Sequence, residues 1–278
     1  MATEEKKEKA TGLQAFNRTI RSEETQKYLA DVLKERKGSF INNLTALVSN
    51  DKALQECEPY TIMFAALKAT ALDLPLDKSL GFAFVIPYND NKNNRKVAQF
   101  QLGYKGIKQL ALRSGQFAII PNATDVRQGE LVRRNRLTGD CEFAFEEDDQ
   151  KREKLPIIGF ASYFRLLNGA ESTFYMSVNE VEAHALRYSQ TYRSKNERVK
   201  AESKWTTDFV EMAKKTVIKL NLSRNAPLSV ETRDALNADQ AVMFHADKYE
   251  YFDNETSEEK ERKQKELAEK FADYEEVK

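Results

Sequence analysis

The stretch VAQFQLGYKGIKQLALRSGQF, Val97–Phe117, changes period in its middle, and that change decides the fold class. Phe100 and Leu102 alternate with Gln99 and Gln101, the period-2 pattern of a half-buried strand. Beyond Gly103, the apolar residues Ile107, Leu110 and Ala111 recur at helical spacing instead. Upstream, Gly81–Tyr88 reads as a strand joined to this one by NDNKNNRK, a polar hairpin tip. Downstream, strands are expected at Phe117–Ile120, Thr124–Val132, Cys141–Phe145, Ile157–Leu167 and Thr173–Met176, the last two flanking an Asn168-Gly169 turn.

Helices bracket these strands. Glu23–Glu35 should bury Tyr28, Leu29, Val32 and Leu33, and Phe40–Ser49 should follow a Ser39 cap. Pro59 suits the first turn of Pro59–Leu72, whose small residues Ala65, Ala66 and Ala69 allow close packing on a sheet. Ser177 with Glu180 three residues on forms a capping box for a helix to about Tyr188. Lys204–Leu222 reads as one amphipathic helix burying Trp205, Phe209, Met212, Ala213, Thr216, Val217 and Leu220. Helices first, antiparallel strands in the middle and helices again define an α+β fold, a small antiparallel sheet with hairpins packed against helices. The expected organisation is a flexible arm over 1–20, one α+β domain over 21–246, and an acidic tail over 247–278 with a solvated helix near Glu258–Phe271.

The chain has 44 basic and 44 acidic residues, and the zero sum hides segregation. Asn91–Thr124 holds six bases and no acid, Tyr192–Asn225 nine bases against four acids, and Ala226–Lys278 eight bases against fifteen acids. Charge sorted in this way points to a polyanion partner. No apolar run approaches the roughly 20 residues of a membrane helix, and the polar N-terminus has no secretory core. Cys57 and Cys141 belong to no CxxC, which suits a reducing, cytoplasmic setting. The sequence has no GxxxxGK[ST], no GxGxxG after a strand and no HExxH, and its two histidines stand apart. Neither a catalytic constellation, a metal site nor a cofactor is expected.

The binding candidates lie in the two basic stretches. In the first, glycines bracket Tyr104-Lys105 at a helix start, where free N–H groups favour an anion, and Lys108 lies off the apolar face, with Arg113 at the helix end. A tight strand-to-helix turn with solvated lysines explains the same spacing equally well. In the second, Arg198, Lys200 and Lys204 alternate with Tyr192 and Trp205, and Lys214, Lys215, Lys219 and Arg224 follow. Bases interleaved with aromatics suit backbone neutralisation with some base stacking. Trp205 also has the spacing of a core residue beside Phe209 and Met212.

Four blocks in order, ALKATALDLPLDKSLGFAFVIPY, VAQFQLGYKGIKQLALRSGQF, IIGFASYFRLLNG…FYMSVNEVEAHALRYS and KWTTDFVEMAKKTVIKLNL, resemble the RecT family of phage and prophage single-strand annealing proteins. The resemblance spans about Tyr60 to Leu222. It implies a protein that binds single-stranded DNA, pairs complementary strands into duplex without ATP, and assembles into rings or filaments with DNA in a narrow groove. It assigns Lys105, Lys108, Arg113, Lys204, Lys214, Lys215 and Lys219 to phosphates, Gln101 to polar contacts, and Tyr104 and Trp205 to packing or stacking. It also points to a host single-strand binding protein and a phage exonuclease as partners, with the acidic end as a contact region. The insert SQTYRSKNERVKAESK is longer than the family pattern before Trp205, and Ile218-Lys219 replaces an expected basic pair. Two rival classes are an oligomeric phage scaffold protein and a metal-dependent DNA-processing enzyme, the latter without an acidic cluster to support it.

Overall fold

A computed structural model describes residues 12–90, 93–245 and 248–251. In chain order the helices are α1 (Gly12–Ile20), α2 (Glu23–Leu33), α3 (Lys37–Ser49), α4 (Lys52–Gln55) and α5 (Pro59–Ala71). Strands β1 (Ala83–Asp90) and β2 (Arg95–Leu102) lead to α6 (Tyr104–Arg113), then β3 (Phe117–Arg127), β4 (Leu131–Arg134) and β5 (Cys141–Phe143). There follow α7 (Asp149–Arg152), β6 (Ile157–Leu166), β7 (Glu171–Ser177), α8 (Val178–Tyr188), α9 (Glu197–Ala201) and α10 (Lys204–Thr207). The last elements among the described residues are α11 (Phe209–Asn225), α12 (Val230–Ala238), β8 (Val242–His245) and β9 (Lys248–Glu250). The fold is α+β. Among the described residues three sheets form, of order β1-β2-β8-β9, β3-β6-β7 and β4-β5.

The described chain divides into two compact units. Of the described residues, the first holds those between 12 and 122, 162 and 173, and 218 and 250, and the second those between 123 and 161, and 174 and 217. In the first unit, β1 and β2 pair antiparallel from Ala83↔Leu102 to Asp90↔Arg95, so the hairpin tip is shorter than its polar run suggested. β2 meets β8 at Gln99↔Val242, and β9 adds to β8. Ala65, Ala66 and Ala69 of α5 are fully buried, and α5 packs against β1, β2 and β8. Their lack of bulk lets a helix axis lie close to strands, as the sequence implied.

The N-terminal arm needs correction: Phe16 and Ile20 of α1 are buried core residues, and α1 packs on α5. Leu13, Phe16 and Ile20 already have helical spacing. Ser39 caps nothing, because a 3-10 turn at Lys34–Arg36 runs straight into α3 and leaves it inside the helix. Val32, expected in the core, is 52% exposed on α2. At the other end β9 belongs to the sheet, so the body extends past residue 246, while the helix expected near Glu258–Phe271 lies outside the described residues.

In the second unit a core of Phe160, Val181, Ala185, Trp205, Ala213 and Val217 carries α8, α10 and α11. The Ser177 capping box forms as expected. The single helix expected over Lys204–Leu222 is broken at Asp208 (φ −136°, ψ 44°). Thr206 and Thr207 resist helix and Asp favours caps; the Asp208 carbonyl accepts the Met212 N–H and so starts α11.

A second, smaller core of Val126, Ala161 and Tyr175 seats the β4-β5 hairpin through Leu131, Cys141 and Phe143. Beside it, the buried Glu130 carboxylate accepts from Arg127 N (2.7 Å) and from Arg152 Nε (2.6 Å) and Nη2 (3.1 Å). Asp125 accepts from Arg127 Nε at 2.8 Å. Burial alone would raise both carboxyls, but the guanidiniums of Arg152 and Arg127 outweigh it and hold both below the usual range. The stabilisation is therefore complete above the ordinary carboxylate range near pH 4 and is lost as pH falls through the depressed values. Glu130→Gln is expected to lower unfolding free energy by about 3 kcal/mol and to flatten the acid limb, measured by denaturant melts across pH.

Candidate nucleic-acid interface

The first-block residues stand at the junction of β2 and α6. Gly103 donates its N–H to the Phe82 carbonyl at 2.8 Å. A Cβ on Gly103 would collide with the Gly81 carbonyl oxygen, and one on Gly106 with that of Phe82. The bracketing glycines thus serve close backbone approach. Ile107, Leu110 and Ala111 are buried, which turns the opposite side of α6 outward.

On that side the Tyr104 hydroxyl donates to Asn122 Oδ1 at 3.0 Å, and Lys108 Nζ donates to the same oxygen at 3.3 Å. Lys108 Nζ also lies 5.3 Å from the Tyr104 ring centroid. Lys105 is exposed. Among the described residues neither Lys105 nor Lys108 meets a carboxylate; Lys108's recorded acceptor is a neutral amide. Asn122 was missed from the sequence, where an isolated Asn on a strand gives no signal. Gln101 is half-buried opposite Phe84 of β1.

The remaining first-unit candidates differ. Arg113 faces the Leu72 carbonyl and lies 3.7 Å from Asp73 and 3.5 Å from Glu231. Lys219 is bound at 2.6 Å to Asp239, whose buried carboxylate also accepts the Leu102 N–H at 2.9 Å. Asp239 was also missed, because a lone Asp between a helix and a strand looks like a turn residue. Arg224 is exposed at the end of α11.

In the second unit, Arg198 pairs with Glu202 at 3.1 Å, Lys204 with Asp208 at 2.8 Å and Lys214 with Glu211 at 3.3 Å. Such local exposed pairs contribute a few tenths of a kcal/mol at most, so a phosphate can displace the acid. Lys200 lies 5.9 Å from the Tyr192 ring centroid, and Lys215 is half-buried on α11. Trp205 is 5% exposed, packed against Phe209 at 5.9 Å and Tyr192 at 6.3 Å. Its ring is core, which removes it as a stacking surface.

Burial pushes the Cys57 thiol up to about 11, where it is a protonated core group that donates to the Val97 carbonyl. Among the described residues no group of three His, Cys, Asp or Glu is arranged to hold a metal ion, and no helix is long and apolar enough to cross a membrane.

An α+β scaffold that displays two uncompensated lysines beside a phenol suits a polyanion with unstacked bases. The family model described as the RecT family matches residues 38–265. The uncharacterized protein YqaK of Bacillus subtilis (strain 168) is 36% identical over 263 residues, covering 91% of this chain and 85% of that one. Protein RecT of Escherichia coli (strain K12) is 29% identical over 198 residues, 68% of this chain and 65% of that one. The chain belongs to the RecT family. Membership makes it a single-strand annealing protein of DNA recombination, and implies single-stranded DNA binding and self-association.

The geometry separates lysines that hold the fold from lysines free to bind. Lys219→Ala strands the buried Asp239 carboxylate and is expected to lower stability by about 3 kcal/mol. Lys105→Ala should leave stability within about 0.5 kcal/mol. Parallel urea melts check both.

Proposed function

We propose that the chain anneals complementary single strands without ATP, and that the outward side of α6 holds DNA backbone in each subunit of an oligomer. The observation that carries this is the contrast in charge pairing. Arg113, Arg198, Lys204, Lys214 and Lys219 face carboxylates, whereas Lys105 and Lys108 face none among the described residues. Two cations left uncompensated next to each other repel, and a phosphate relieves that repulsion. Tyr104, with its ring beside Lys108, offers a stacking surface at the same spot.

In the second unit Arg198, Lys204 and Lys214 contribute as exchangeable contacts that trade a local carboxylate for phosphate, and Lys200 and Lys215 add to the same basic stretch. Backbone contacts leave bases outward, where a second strand is sampled until it matches. Stacking of about 1.4 kcal/mol per duplex step then drives the reaction, so no nucleotide hydrolysis is needed. Neighbouring subunits continue the DNA path through a ring or filament. The cytoplasm is the setting, and a host single-strand binding protein and a phage exonuclease are the partners this role calls for.

The direct test times duplex formation from labelled complementary oligonucleotides with the protein and no nucleoside triphosphate. Duplex should form faster than without protein. Lys105→Ala/Lys108→Ala should weaken binding about tenfold for every sequence and reduce the slope of log affinity against log salt by about 1.4, two contacts at about 0.7 each. An unchanged slope contradicts the assignment to α6.

A further inference from the structure

The β4-β5 hairpin spends many interactions on rigidity and buries nothing at its tip. At the root, Phe143 packs on the Val126–Ala161–Tyr175 cluster, and Arg134 lies over the Tyr175 ring and 3.6 Å from Glu180. At the tip, Asn135 Oδ1 accepts the Leu137 N–H at 2.9 Å and the Thr138 N–H at 3.3 Å, while Asn135 N–H bonds the Asp140 carbonyl at 2.8 Å. Leu137 itself is 95% exposed. Arg136 beside it is exposed and forms no ion pair among the described residues. A preorganised turn that presents an apolar side chain beside an unpaired cation has the form of a docking knob.

A matching hollow exists in the first unit. A cavity of about 660 Å³ opens between α2, α5 and β8, with Tyr28, Phe64 and Phe244 among its lining. Tyr28 meets Phe64 edge-on at 5.9 Å. Glu24, Asp31 and Glu58 bring acid to the same cavity against one base, Lys27, so its rim is net acidic. Arg95 engages Glu58 at 3.0 Å, whereas Glu24 and Asp31 are exposed and form no ion pair among the described residues. An apolar hollow with a net acidic rim complements an apolar knob edged by an unpaired arginine in polarity and charge.

We infer that the β4-β5 hairpin tip of one copy, through Leu137 and Arg136, docks into the Glu24/Asp31-edged aromatic hollow of a second copy. This rests on the self-association that family membership implies. Knob and hollow are different patches of one chain, so the contact is head-to-tail and propagates into a filament, or closes into a ring when the rotation allows.

The test is sedimentation velocity of the full chain without DNA, with circular dichroism confirming that each variant is folded. Wild-type chain should assemble beyond the dimer. Leu137→Asp (knob lost) and Glu24→Arg/Asp31→Arg (hollow reversed) should each sediment as monomer. An equimolar mixture of the two keeps one good knob and one good hollow, and should give dimers and nothing longer. Arg136→Glu tests charge alone: it should weaken assembly, and Glu24→Arg/Asp31→Arg in the same chain should restore it. Variants that assemble like wild type, or a mixture that stays monomeric, overturn the inference while leaving annealing intact. A wild-type chain that is monomeric at all concentrations overturns the self-association reading as well.

Discussion

The close approach of two glycines to a neighbouring backbone fixes everything displayed on α6. Gly103 and Gly106 lie against the carbonyls of Gly81 and Phe82, with no room for a side chain at either position. That contact sets where β2 stops and α6 starts, and with it the rotation of the helix. Ile107, Leu110 and Ala111 then turn inward, Lys105 faces out, and Tyr104 and Lys108 lie half-buried on the flank between them. Asp239 reinforces the junction from the other side by tying the last residue of β2 to Lys219 of α11.

Net charge would have misled. Equal numbers of acids and bases suggest an indifferent surface, yet what a phosphate meets is local, since free charges are screened beyond roughly 10 Å at 0.1 M salt. Pairing sorts the bases into groups with different work. Lys219 and Arg152 face buried carboxylates and hold elements together. Lys204 and Arg198 carry exposed partners one helical turn away that are readily exchanged. Lys105 and Lys108 have only neutral neighbours recorded, and so hold the proposed contact with backbone.

Much of this was legible in the sequence because it depends on short-range patterns. The period change at Gly103, the Ser177 capping box, the alanine side of α5 and the Asn168-Gly169 turn, with Gly169 at φ +86°, all came through. What failed depended on partners distant in sequence. Trp205 looked equally suited to stacking and to core until Phe160, Val181 and Tyr192 closed around it. Lys219 looked like any helix-face lysine, because its buried partner arrives from 20 residues on. The close approach of Gly103 and Gly106 to the Gly81 and Phe82 carbonyls was not legible, because no local spacing could supply those partners. The α1 segment was hidden by the charged run that precedes it, and the break at Asp208 by an apolar pattern that continues across it.

The account stands or falls on which lysines single-stranded DNA covers. Acetylation of the folded chain with and without a saturating oligonucleotide, read residue by residue by mass spectrometry, measures this directly. Lys105 and Lys108 should be the lysines whose reactivity falls most, with Lys219 slow to react in both states. Full reactivity of Lys105 and Lys108 in the DNA-saturated protein would contradict the account.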